Sequence, residues 1–156
     1  MESRISIYLG KLLFMLFLSA INLILYELCF YIGTNLFLDM NIFSLNLYVG
    51  IFLIFLLSNL FIYSLHLSIA FRFGSTVSVL LGIAGTILAG YFQTDIGDKI
   101  WPIIPWECGI RFLENYLNFS NSPIIFGIAS MIILTSIILI LSILWFNRWE
   151  GKIIQE

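Results

Sequence analysis

Four apolar runs, separated by shorter polar segments, set the pattern of this chain. They cover about residues 12–32, 45–67, 75–92 and 124–146. Each run is close to the roughly 17–25 residues that an α-helix needs to cross a bilayer at about 1.5 Å per residue. The runs are continuous rather than alternating, which excludes a β-barrel. The pattern therefore predicts an all-α bundle of four membrane-spanning helices, a single transmembrane domain over residues 1–156.

One long segment, residues 94–123, interrupts this pattern between the third and fourth runs. Its length of about thirty residues is well above that of ordinary loops, which indicates a structure of its own. Pro102 and Pro105 prevent one uninterrupted helix, so we expect a broken helical hairpin. After Pro105 the spacing predicts a short amphipathic helix with its apolar side towards the bilayer. The charged side, expected to face water, carries Glu107, Arg111 and Glu114.

Basic residues are unevenly distributed between the two ends of the predicted spans. At one end of the spans, the connection between the second and third runs contains a basic residue and no acidic residue. The basic residues at this end are Arg4, Lys11, Arg72, Arg148 and Lys152. At the other end Lys99 and Arg111 are outnumbered by acidic residues. The positive-inside rule then places both termini in the cytoplasm and the 94–123 loop outside the cell.

The composition supports a polytopic membrane protein. Mean hydropathy is +1.06, and only 10% of the residues are charged, against about 25% in soluble domains. The first run exceeds the apolar region of a signal peptide and lacks a small-residue cleavage site, so we expect it to be retained. Many Leu, Ile, Phe and Asn residues suit an AT-rich bacterial genome. A net charge of −2 gives no reason to expect nucleic acid as a partner.

Small residues recur at every fourth position along the third run. The ridge comprises Gly74, Ser78, Gly82, Thr86 and Gly90, with Ala70 before it. Because lipid supplies no hydrophobic drive between helices, such ridges mark close helix packing. The partner helix could belong to the same bundle or to a second subunit.

Polar residues also follow one face of the first two runs. In the first run they are Ser19, Asn22, Tyr26, Cys29 and Gly33, and in the second they are Asn59, Tyr63 and His66. Their spacing predicts faces that point into the bundle, either for hydrogen bonds between helices or to line a substrate path. Glu27 lies off the first stripe. An intramembrane carboxylate is a candidate functional site, with a structural hydrogen bond as the alternative.

No constellation of catalytic residues is apparent. His66 is the only histidine, which excludes a cluster of histidine metal ligands. The chain lacks a Walker A sequence and a Cys-x-x-Cys motif, and Cys29 and Cys108 are expected to be unpaired. We therefore expect a non-enzymatic protein without a cofactor.

Three features together resemble a known family. They are the basic lead-in at residues 3–11, the very short turn around Arg72, and the motif Trp101-Pro102-Ile103-Ile104-Pro105-Trp106 with Arg111 downstream. In this order they resemble permease subunits of ABC-2-type transporters, especially the branch that protects Gram-positive bacteria from lantibiotics. The motif corresponds to the family's extracellular element between its last two helices.

The resemblance implies an integral-membrane part of an ATP-driven exporter that removes antimicrobial peptides from the membrane. A separate cytoplasmic ATPase and a second permease subunit would be its partners. Family members usually have six helices, and this chain corresponds to the last four. A cationic peptide would meet the outer loop first, which suggests capture or gating by Trp101, Pro102, Pro105, Trp106, Glu107, Arg111 and Glu114.

A different class of protein also fits the sequence. It is a stand-alone four-helix immunity or accessory protein that binds a peptide or partner without ATP. The absence of the first two family helices, where the main contact with the ATPase is expected, favours this alternative.

Overall fold

The computed structural model describes residues 4–38, 44–94, 96–117 and 124–148. The helices in these ranges are α1 (Arg4–Leu38), α2 (Leu45–Phe73), α3 (Ser75–Phe92), α4 (Pro105–Tyr116) and α5 (Ile124–Arg148). Two short 3-10 turns, Gly97–Lys99 and Trp101–Ile103, lie between α3 and α4. The described ranges contain no strand, so the all-α prediction is confirmed.

Four of these helices are long and apolar enough to cross a membrane. The apolar segments are Ile5–Phe37, Leu45–Phe73, Ser75–Phe92 and Ile124–Phe146. Many of their large apolar side chains are exposed on the outside of the bundle, which fits a multi-pass protein surrounded by lipid. The first two helices are longer than the predicted runs. Helix α1 begins before Lys11 and ends at Leu38, and α2 continues through Arg72.

A one-residue turn at Gly74 joins α2 to α3. Gly74 has φ +93° and ψ 163°, a backbone conformation that side-chain-bearing residues rarely adopt. Its N–H donates to the Ala70 carbonyl at 3.0 Å and so closes the last turn of α2. The end of the bundle that contains Gly74 is called the turn end, and the opposite end, with residues 93–94 and 96–117, is called the loop end.

Helix α2 is the centre of the bundle, because it contacts α1, α3, α4 and α5. It has 29 residues, against 18 in α3, a difference of about 16 Å at 1.5 Å per residue. Helix α4 covers the part of α2 that α3 does not reach. Gly109 lies against Phe55 and Ser58 of α2, and the Tyr116 hydroxyl donates to the Asn46 carbonyl at 3.2 Å.

Aromatic and aliphatic side chains close the bundle at the turn end. The buried cluster there consists of Tyr8, Leu12, Leu67 and Phe146, from α1, α2 and α5. Two cations stack on rings beside it, Lys11 on Phe71 and Arg72 on Trp145, each 4.8 Å from the ring centroid. The Lys11 contact joins α1 to α2, and the Arg72 contact joins α2 to α5.

Candidate functional site

One arginine joins three carboxylates at the loop end, in a group called here the Arg111 cluster. Arg111 Nε donates to Glu107 Oε1 at 2.8 Å, and Nη1 lies 2.9 Å from Asp98 Oδ1. Glu114 Oε2 is farther, at 3.6 Å from Nη1. Glu107, Arg111 and Glu114 follow at steps of four and three on α4, so they share one face of that helix. Asp98 comes from the 3-10 turn before it.

The same guanidinium also binds the end of α3. Arg111 Nη2 donates to the Phe92 carbonyl at 3.1 Å and to the Thr94 carbonyl at 3.4 Å. The last carbonyls of a helix have no partner within it and carry the negative end of the helix dipole. A planar guanidinium with five N–H groups can satisfy them and the carboxylates together. Arg111 thus fastens α4 to the end of α3.

Burial sets the electrostatics of the cluster. The Glu107 side chain is 0% exposed and that of Arg111 only 7%, whereas Asp98 remains 58% exposed. Burial raises the pKa of the Glu107 carboxyl, and the opposing hydrogen bond and charge of Arg111 do not cancel this. Burial, reinforced by the Glu107 charge, also raises the pKa of the Cys108 thiol to about 12. Glu107 Oε2 has no hydrogen-bond partner among the described residues.

The prediction that Glu107 and Arg111 face water is therefore wrong. The helix predicted after Pro105 is present as α4, but its charged face turns inwards. The physical reason is that the Phe92 carbonyl at the end of α3 has no partner within its own helix, and it holds Arg111 inside the protein. Arg111 then holds Glu107 beside it. Glu114 is intermediate, with a side chain 25% exposed.

Trp101 is the anchor of the loop on α5. Its side chain is 0% exposed and meets Phe112 edge-on, with ring centroids 5.6 Å apart. A Cβ added to Gly127 of α5 would lie 2.0 Å from the Trp101 ring, so only glycine leaves room for it. The next residue, Pro102, accepts a hydrogen bond from Ser130 of α5 through its carbonyl. Trp101 is thus enclosed by protein rather than exposed at the surface of the loop.

Trp106 reaches between α2 and α3. Pro105 occupies the first turn of α4, where its missing N–H costs no helical bond. The Trp106 ring covers Gly85 of α3, where an added Cβ would come within 2.3 Å. It also meets His66 of α2 edge-on, with centroids 6.1 Å apart. The two tryptophans of the motif therefore pack against three spanning helices, Trp101 against α5 and Trp106 against α2 and α3.

Beside Trp106 lies an open groove of about 450 Å³ that is lined by both polar and apolar residues. Its polar lining residues are Asn59, Tyr63, His66, Ser78, Thr86 and Trp106. His66 Nδ1 lies 2.8 Å from Ser78 Oγ, and Asn59 Nδ2 donates to Ser19 Oγ of α1 at 2.9 Å. The structure thus brings the predicted polar residues of the second run together. They make hydrogen bonds between helices and also line an opening.

The predicted polar face of α1 is largely wrong. Ser19 is buried against α2, but Asn22 and Cys29 are exposed, and Tyr26 is 78% exposed. Asn22 donates to the Leu18 carbonyl of its own helix at 3.1 Å. The face that packs follows Tyr8, Leu12, Ser19 and Leu23, and Glu27 continues it. Glu27, expected off the stripe, lies on the face turned towards α2, where it lines a second pocket.

The small-residue ridge is used only in part. Ser78 is buried on His66 and Gly82 faces the His66 ring, with an added Cβ 3.0 Å from it. Thr86 and Gly90 are exposed, and nothing lies within 4 Å of a Cβ at Gly90. Gly74 belongs to the turn rather than to α3. The ridge therefore packs within the bundle at its first half only.

Sequence reasoning missed several residues that build the site. Gly85, Gly127 and Ser130 receive the loop on the spanning helices, and Asp98 entered only as a charge. Glycines inside apolar helices were the available signal, because glycine in a helix needs a packing reason.

No protein-family model matches the chain, and no curated protein or solved structure is significantly similar to it.

Proposed function

We propose that the chain is a membrane-spanning subunit of an ABC-2-type exporter that gives immunity to lantibiotics or similar antimicrobial peptides. The main support comes from the motif behind the family resemblance and from Arg111 downstream of it. Trp101 packs against α5, Trp106 packs against α3, and Arg111 binds the end of α3, so these three residues fasten the loop to the bundle. A motif whose residues have defined contacts in the fold supports the family resemblance better than a short sequence match alone.

The proposed complex has three kinds of component. This chain lies in a bacterial cell membrane with both termini in the cytoplasm and the loop end outside. A separate cytoplasmic ATPase supplies the energy, and a second permease subunit completes the membrane part. Antimicrobial peptide is the cargo, moved from the membrane to the outside.

The loop then acts as an outer gate rather than as a surface that binds the peptide. It is tied to α3 by Arg111 and to α5 by Trp101, so a shift between these two helices must move it or break a contact. Trp101 and Glu107 are fully buried. In the proposed mechanism, their contacts hold the gate closed.

The stand-alone binding protein is the second candidate. It is favoured by the open polar groove, because Asn59, Tyr63 and His66 provide hydrogen-bonding groups at membrane depth without help from another subunit.

Purification of the tagged chain from its native membranes separates the two candidates. The exporter predicts co-purification, in a fixed ratio, with a subunit that contains a Walker A sequence, together with ATP hydrolysis in the eluate. Purification of the chain alone, with peptide resistance unchanged after deletion of the host ATPase, would refute the exporter.

A further inference from the structure

The second pocket lies between α1 and α2, towards the loop end. It has a volume of about 390 Å³, within the roughly 300–1,000 Å³ usual for ligand sites. Four aromatic residues, one carboxylate and two aliphatic residues line it: Tyr26, Phe30, Tyr48, Phe55, Glu27, Leu23 and Ile51. Its α2 residues continue the helix face that forms the floor of the polar groove.

Glu27 is the only carboxylate of this lining, and among the described residues it forms no ion pair with a basic side chain. Its Oε1 atom is buried and has no hydrogen-bond partner among the described residues. The lining contains no basic residue. Lys11, the basic residue nearest in sequence on α1, is sixteen positions away, about 24 Å along the helix. Arg111 is engaged by its own three carboxylates.

A carboxylate among aromatic rings is the chemistry that recognises an organic cation. Ring faces attract an ammonium group through their quadrupole, and the carboxylate supplies the opposite charge. The pocket offers no cationic group to an anion. Because it opens beside lipid-facing helices, the ligand must also carry an apolar body that can enter from the membrane.

We propose that this pocket binds the ammonium group of a membrane-soluble amphiphile, with Glu27 as the counter-ion and the rings of Tyr26, Phe30, Tyr48 and Phe55 around it. The ammonium belongs either to a lysine of an amphipathic peptide or to a small lipophilic cation. Binding of a cation in this pocket does not depend on ATP-driven transport, so it can occur whether or not the exporter proposal holds.

Binding is measured on the full chain in lipid nanodiscs by isothermal titration calorimetry, with empty nanodiscs as the blank. The probes are octyltrimethylammonium and its uncharged carbon isostere. Wild type should bind the cation at least tenfold more tightly than Glu27→Gln does, since the variant keeps the shape and loses the charge. Tyr26→Leu should weaken binding about fivefold through the lost ring face.

Two control variants match these changes outside the pocket. Cys29→Ala alters an exposed residue two positions along α1, and Tyr91→Leu removes an exposed ring from α3. Both should bind like wild type. Equal binding of the cation by wild type and Glu27→Gln would overturn the proposal. Equally tight binding of the uncharged isostere would do so too, since it would reduce the effect to partition into apolar surface.

Competition identifies the source of the ammonium. An amphipathic lysine-containing peptide that displaces the probe, while its lysine-acetylated form does not, assigns the site to peptides. Failure of both peptide forms to displace octyltrimethylammonium assigns it to small lipophilic cations. Displacement by the acetylated peptide as well would contradict recognition of the charge.

Discussion

Replacing Arg111 by leucine is expected to destabilise the protein by about 3–5 kcal/mol, because it leaves a buried carboxylate unpaired. Glu107 is fully buried, its Oε1 accepts from Arg111 and its Oε2 has no described partner. The contact with Asp98 adds little, since that side chain is 58% exposed and exposed pairs are worth about 0–1 kcal/mol. The estimate therefore comes mainly from Glu107.

The assay is reversible unfolding in mixed micelles, with the free energy of unfolding compared among variants. Adding Glu107→Gln to Arg111→Leu should restore at least about 2 kcal/mol, because the unpaired charge is then gone. Asp98→Asn is the control and should cost less than about 1 kcal/mol.

Two results would contradict the claim that an unpaired, buried Glu107 carboxylate causes the loss of stability. One is a loss below about 1 kcal/mol for Arg111→Leu, which would mean that Glu107 is solvated or already neutral. The other is a double variant less stable than Arg111→Leu, since that would show no relief of a buried charge.

Three further predictions follow from the same contacts. Because the pKa of Glu107 is raised in the folded state, its contribution to stability is full below its unfolded value and is lost as pH rises through the folded pKa. Unfolding free energy should therefore fall more from about pH 4 to about pH 7 in wild type than in Glu107→Gln, and parallel curves would exclude this. Gly127→Ala should cost about 1–3 kcal/mol by forcing a Cβ into the indole packed there, while Gly90→Ala should be neutral or gain up to about 1 kcal/mol. Cys108, with its pKa of about 12 and its burial, should resist N-ethylmaleimide in a Cys29→Ala background until the protein is unfolded; rapid labelling of the folded protein would show that α4 opens.

The sequence was informative about the spanning helices, because long apolar runs have few alternatives to a membrane helix. It also located α4, since Pro105 is compatible with the start of a helix and not with its middle. Residue periodicity could not reveal the partner of each face. The charged face of α4 was assigned to water on polarity alone, yet the Phe92 carbonyl at the end of α3 and the Thr94 carbonyl beyond it draw Arg111 inwards.

The error on α1 has a similar origin. Asn22 and Tyr26 were expected inside the bundle because they are polar, but α1 packs through a stripe that includes Tyr8, Leu12 and Ser19. That stripe is set by the shape of α2 and α5, and especially by the aromatic cluster at the turn end. Such tertiary preferences do not appear in the spacing of one helix.

The burial of the loop changes how a substrate could be handled. Trp101 and Glu107 were expected to meet an arriving peptide, and both are enclosed by protein. If peptide reaches the chain from the membrane, two open sites lie along one face of α2, the polar groove and the Glu27 pocket. Recognition from the lipid side is thus more consistent with the fold than recognition by the loop.

The most direct test of the proposed exporter is the amount of lantibiotic bound to cells that express the chain with its co-purifying ATPase. Wild-type cells should retain several-fold less peptide than cells lacking the chain, and alanine at the Walker A lysine of the ATPase should abolish the difference. An unchanged difference in the ATPase variant would contradict ATP-driven export and leave the chain as a binding protein.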